Sequence, residues 1–142
     1  MPHLVILYTP NLDAQTDMTT LCRSLADNML GAVDEAGLPV FPKGGTRVLA
    51  YPAAHSAISD GGQAGRTAGG SGDYSFVYMS LRMARGRSAA THRVIGDALA
   101  AAAKQHFAQI LASKHIGITI QIDEGQEVFD AKISTLHPLF QS

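Results

Sequence analysis

A short apolar strand followed by an amphipathic helix opens the chain, and the same step begins again at Asp73. This repetition limits the fold more than any other feature. Residues 2–8 are rich in Leu, Val and Ile and read as a buried strand. Asn11 to Asp17 supply helix-capping residues. Met18, Leu21, Cys22, Leu25, Met29 and Val33 then recur at helical spacing, which predicts a helix of about five turns. Gly37 followed by Pro39 is a stop signal. Thr46 to Tyr51 alternate weakly as a second strand. Ser59 to Gly72 are rich in glycine and poor in apolar residues, so a mobile loop is expected there.

The second cycle is clearer. From Asp73 to Met83, Tyr74, Phe76, Tyr78 and Ser80 fall on one strand face, and Ser75, Val77, Met79 and Leu81 on the other. Arg85-Gly86-Arg87-Ser88 reads as a turn with Ser88 as N-cap. Ile95, Leu99, Ala102, Ala103, His106, Phe107 and Ile110 mark a second helix. Ile116, Ile118, Ile120 and Ile122 alternate with Gly117, Thr119 and Gln121, a strong strand pattern.

The order is therefore β-α-β, loop, β-α-β: an α/β (α+β) chain expected to form one domain. Its halves cover about 1–58 and 73–126, with the Gly-rich loop 59–72 between them and a tail at 127–142. Each half can make a parallel strand pair through a crossover helix. The expected result is a four-stranded mixed sheet with two helices on one face. No third layer remains for the other face, which predicts a homo-oligomer with sheets facing one another.

A chain of 142 residues suits a single core. Its net charge of −1 gives no general attraction to nucleic acid or to an anionic membrane. No apolar run approaches the ~20 residues of a membrane span, and no charged and apolar leader is visible, so a cytoplasmic location is expected. Cys22 has no internal disulfide partner and reads as a reduced core thiol. His3, His55, His92, His106, His115 and His137 show no metal-ligand spacing. The glycines around Gly61 and Gly70 precede a strand instead of opening a helix, the wrong context for a phosphate cradle. No metal or cofactor is expected.

Chemistry enters at Pro2. Removal of Met1 would leave a proline with a free secondary amine at the start of an apolar strand. A free α-amino group has an ordinary pKa of ~7.7–8.0, and burial or a nearby cation favours its neutral form. Such a nitrogen is a base. The plainer reading is a proline that merely begins a strand, where its missing N–H costs nothing. Arg47 begins the second strand, and Arg82, Arg85 and Arg87 cluster near the start of the second helix. Arginine beside a helix N-terminus can grip a carboxylate with two parallel N–H groups. A solvated turn is the alternative. An amine base with an arginine clamp suits proton transfer α to the carbonyl of a keto acid.

The residues Met1-Pro2-His3, the strand Gly72-Asp73-Tyr74-Ser75-Phe76-Val77-Tyr78-Met79-Ser80-Leu81 and the turn Gly86-Arg87-Ser88 resemble the 5-carboxymethyl-2-hydroxymuconate Δ-isomerase family of the tautomerase superfamily. The resemblance covers most of the chain in order and spacing and is dense in those segments. It implies a duplicated β-α-β fold and a homotrimer. It also implies that Pro2 moves a proton between carbons of an unsaturated 2-hydroxy or 2-oxo diacid without a cofactor. Arg87 matches the family arginine expected to bind a substrate carboxylate; Arg47, His3 and Tyr74 are the other candidate substrate-binding residues. One departure stands out. The family carries two arginines, one residue apart, entering the second strand, and here the first position is Gly45 and the second Arg47. Arg47, Lys43 or Arg85 would have to make good the loss. The loop at 59–72 is also longer than the family's.

Keto-enol tautomerase, decarboxylase or dehalogenase chemistry on the same fold, and a catalytically silent trimer, are alternatives. A ferredoxin-like RNA-binding module shares the element order, and Tyr74-Ser75-Phe76-Val77 partly matches its aromatic motif. The near-neutral charge argues against it, because phosphate contacts dominate such binding.

Overall fold

The computed structural model describes residues 2–140. Met1, whose removal the sequence reading invokes, lies outside them. The elements run β1 (His3–Tyr8), a 3₁₀ turn (Pro10–Ala14), α1 (Met18–Leu30), β2 (Arg47–Pro52), α2 (Gln63–Thr67), β3 (Ser75–Met83), α3 (Ala89–His106), α4 (Ala108–Ser113), β4 (Ile116–Glu124) and a second 3₁₀ turn (His137–Phe140). The strands form one sheet in the order β2-β1-β3-β4. β1 pairs parallel with β2, β3 parallel with β4, and the two halves join antiparallel through β1 and β3. This is the doubled, mixed sheet expected from the repeat.

Alternation decides which face is covered. Leu4, Ile6 and Tyr8 of β1 and Val77, Met79, Leu81 and Met83 of β3 point to the buried side. There they meet Leu21, Leu25 and Met29 of α1 and Ile95, Leu99 and Ala103 of α3. α1 packs on β2, α3 on β4, and the helices on each other. Both starts are capped from within: Asp17 accepts the Thr19 and Thr20 amides, and Ser88 accepts the Thr91 amide. Leu81 is fully buried at the centre of this layer. Leu81→Ala should cost about 2–5 kcal/mol, read as a lower urea midpoint with an unchanged slope.

The other face of the sheet carries Val5, Leu7, Leu49, Tyr51, Phe76 and Tyr78, and among the described residues none of these belongs to the buried core. Leu7, Leu49 and Tyr51 are each nearly half exposed.

Three sequence expectations change. The first helix is shorter than five turns, ending at Leu30 with Gly31 as C-cap. Val33 instead bridges to Pro39, and the Val40 amide returns to the Ala32 carbonyl at 3.0 Å. Asp34 drives this reversal, its carboxylate accepting the Ala36 and Leu38 amides at 2.9 and 3.0 Å. The second helix is broken at Phe107 into α3 and α4, a bend that lets Phe107 and Ile110 both reach the core. The Gly-rich segment is no featureless loop. Asp60 caps the short helix α2 through the amides of Gly62, Gln63 and Ala64, and the buried Gly65 donates its amide to the Tyr74 hydroxyl at 2.9 Å. Local side-chain acceptors and one distant tyrosine replace the apolar packing that this segment lacks.

Candidate active site

Pro2 is buried at the head of β1. It lines a cavity of about 260 Å³ with Val40, Phe41, Pro42, Met83, Ala84, Arg87, Lys132 and His137. Besides the tail that carries Lys132 and His137, three pieces of chain converge here for separate reasons. The antiparallel pairing of β1 with β3 sets His3 opposite Arg82, so Met83 and the following turn arrive beside Pro2. In that turn Gly86 adopts φ +102°, a left-handed conformation that a side chain would strain. It reverses the chain into α3 and aims Arg87 back at the cavity. The Asp34 reversal brings Val40 to the same place.

Arg87 is held from two sides. One terminal nitrogen lies 3.4 Å from Asp34 Oδ2, and the other donates to the Val40 carbonyl at 3.0 Å. The neighbouring Ser88 hydroxyl donates to Glu35 and locks the reversal to the start of α3. Two anchored nitrogens fix the guanidinium plane and leave part of its five-donor fork for a carboxylate.

Pro2 and Arg87 are the two predicted site residues that one protomer brings together. His3 and Arg47 lie side by side in the β1–β2 register, with Arg82 opposite His3 on β3. These three form a basic row at the same end of the sheet but on its open face. Burial, and then the charges of Arg47 and Arg82, push the His3 imidazole below its ordinary pKa, with Asp130 opposing them. Arg47 donates from Nε to the Gly45 carbonyl at 3.3 Å. It lines a different cavity, shared with Lys43 and Phe140. Tyr74 sits at the far end of β3. Its hydroxyl holds Gly65, and its ring meets His115 edge-on at 6.1 Å. Of the substitutes for the arginine absent at Gly45, neither Lys43 nor Arg85 lines the Pro2 cavity.

Sequence reasoning missed Asp34, Lys132 and His137. Asp34 left a trace, since an Asp three residues before a Gly is a turn signal. The tail residues left none, because no periodicity marks them. Among the described residues no group of three His, Cys, Asp or Glu side chains could hold a metal ion. No helix is long and apolar enough to cross a membrane. Burial raises the pKa of the Cys22 thiol, well away from this cavity.

This fold, a doubled β-α-β sheet with a proline at its head in a cavity beside an arginine, belongs to an isomerase, as the related proteins show. The comparisons with known proteins narrow this. A crystal structure of a 5-carboxymethyl-2-hydroxymuconate delta-isomerase is 59% identical and superposes with a TM-score of 0.96, covering 100% of this chain and 94% of that one. That of a 5-carboxymethyl-2-hydroxymuconate isomerase from Deinococcus radiodurans R1 is 28% identical, with a TM-score of 0.80 and 99% and 95% covered. The 5-carboxymethyl-2-hydroxymuconate Delta-isomerase of Escherichia coli is 24% identical over 141 residues, 99% of this chain and 100% of that protein. The sequence pattern of the 5-carboxymethyl-2-hydroxymuconate isomerase family matches residues 2–140, and the chain belongs to that family.

Proposed function

We propose that this isomerase moves a proton between carbons of an unsaturated 2-hydroxy or 2-oxo diacid of the 5-carboxymethyl-2-hydroxymuconate type, with the Pro2 nitrogen as base. The observation that carries this reading is the shared cavity: Pro2 is buried in it, and Arg87 lines it with an anchored guanidinium. Arg87 binds the carboxylate next to the 2-oxo group. The neutral Pro2 amine takes a proton from one carbon, and the electron pair passes into the conjugated carbonyl. The ammonium so formed returns the proton to a second carbon, so the double bond shifts with no change in composition or charge. Reaction requires that Pro2 be the first residue, because an amide nitrogen cannot accept the proton.

The test pairs two measurements on one sample: the intact mass, which reports whether Met1 is present, and ultraviolet absorbance with 5-carboxymethyl-2-hydroxymuconate and phenylpyruvate as substrates. Turnover by chain that begins at Pro2 supports the reading. Full turnover by chain that keeps Met1 removes Pro2 as base.

The working unit is proposed to be a homotrimer in the cytoplasm. The support is the open sheet face, where Leu7, Leu49 and Tyr51 are exposed together, the kind of grouped apolar surface that marks an interaction site. The tail adds Val128, Phe129 and Ile133, also exposed. Light scattering at micromolar concentration should give three times the chain mass; a stable monomer overturns the assembly.

A further inference from the structure

The Pro2 cavity has a wall, made by Lys132 and His137, that takes no part in the proton transfer. After β4 the tail turns back over the head of the sheet. The Gly125 amide donates to the Met83 carbonyl at 2.8 Å, and Arg82 lies 3.7 Å from Glu127. Ser134 then accepts the amides of Leu136 and His137, closing the last 3₁₀ turn. His137 lands on Gly44. A Cβ at Gly44 would stand 2.8 Å from His137 Nδ1 and 2.9 Å from its Cα, distances no side chain tolerates. The glycine is thus a seat cut for this histidine. Seated there, His137 lines the cavity, and its Nε2 is buried with no hydrogen-bond partner among the described residues. A buried polar nitrogen without a partner is costly and uncommon. Lys132 lines the same cavity, paired with Asp130. An ammonium has three donors, so one carboxylate partner leaves two.

We propose that the tail forms the second half of the binding site: His137 Nε2 and the Lys132 ammonium hold the far carboxylate of a diacid whose near carboxylate lies on Arg87. This rests on the reading of Pro2 and Arg87 as the active site. It supplies the missing partner of Nε2 and gives Gly44 its purpose. It also puts a second cationic group in the cavity although Gly45 carries none. Asp130 holds the ammonium in place at the cavity, and an imidazole with its hydrogen on Nε2 donates beside it.

The test is binding, which needs no turnover. Adipate and hexanoate are titrated calorimetrically, and the affinity ratio is the readout. The intact protein should prefer adipate. His137→Ala and Lys132→Ala should each lower the ratio about tenfold, the usual loss for one charge-assisted contact. Lys132→Arg should retain most of it. Gly44→Ala should imitate His137→Ala by unseating the ring. Lys104→Ala, exposed on α3, should leave the ratio unchanged. Thermal melts check that each variant is folded. Should His137→Ala and Lys132→Ala leave the ratio intact while Arg87→Ala weakens both acids, the tail assignment falls and the Pro2–Arg87 reading stands. Should Arg87→Ala weaken neither, the active-site reading falls too. A ratio near one in the intact protein, or no binding of either acid, overturns the proposal.

Discussion

A chain that keeps any residue before Pro2 is expected to lose the whole contribution of the base, about 10²–10⁴-fold in turnover. Pro2→Ala is expected to lose less, because a primary amine remains at the head of β1. What alanine forfeits is the ring that fixes the nitrogen and the packing of that ring in a buried position. The pH profile separates the base from a structural role. Only the neutral amine accepts a proton, so the rate rises with pH until the amine is deprotonated and is flat above that. Burial and the positive charge of Arg87 in the same cavity both disfavour the ammonium form, which moves the rise below the ~7.7 of a free α-amino group. Measuring kcat/KM against pH on chain of verified mass checks both the level and the inflection. A profile that is flat across the neutral range, or identical in Pro2→Ala, assigns the proton transfer to another group.

Arg87→Ala should raise KM or lower kcat/KM about ten- to a hundredfold, since a hydrogen bond to a charged group contributes about 1.5–3 kcal/mol. The structure adds a second expected effect. Arg87 also ties Asp34 and the Val40 carbonyl to the start of α3. Its loss leaves Asp34 with its two backbone donors, so the protein should still fold, at a melting temperature lower by a few degrees. Arg87→Lys separates the two effects. It keeps the charge but cannot span two acceptors and a substrate carboxylate at once, so stability should recover further than kcat/KM. Kinetics unchanged by both substitutions would remove Arg87 from the site.

Sequence alone determined the parts of this protein that depend on local periodicity. The alternation at Ile116–Ile122 and at Ser75–Met83 fixed two strands, and the spacing of Leu21, Leu25 and Met29 fixed α1. Their repeated order fixed the doubled sheet, because crossover geometry leaves few ways to join such units. Ser88 announced its helix through cap chemistry, which is also local. Pro2 was legible as a candidate because a free secondary amine would be unusual at the start of a strand, and Arg87 because its Gly86-Arg87-Ser88 turn resembles that of the family.

Tertiary structure alone decided what met what. The end of α1 depended on Asp34 finding the Ala36 and Leu38 amides, a contest between side chain and helix that residue spacing does not score. His3 and Arg47 joined a basic row on the open face instead of the Pro2 cavity, because strand register, not proximity in sequence, sets the face. Tyr74 went to the Gly-rich segment at the opposite end of β3. His137 and Lys132 reached Pro2 across nearly the whole chain, in a tail with no period to read. The close approach at Gly44 joins the Gly125–Met83 and Arg82–Glu127 contacts in marking where that tail belongs, and a glycine shows that purpose only when the atoms over it are known.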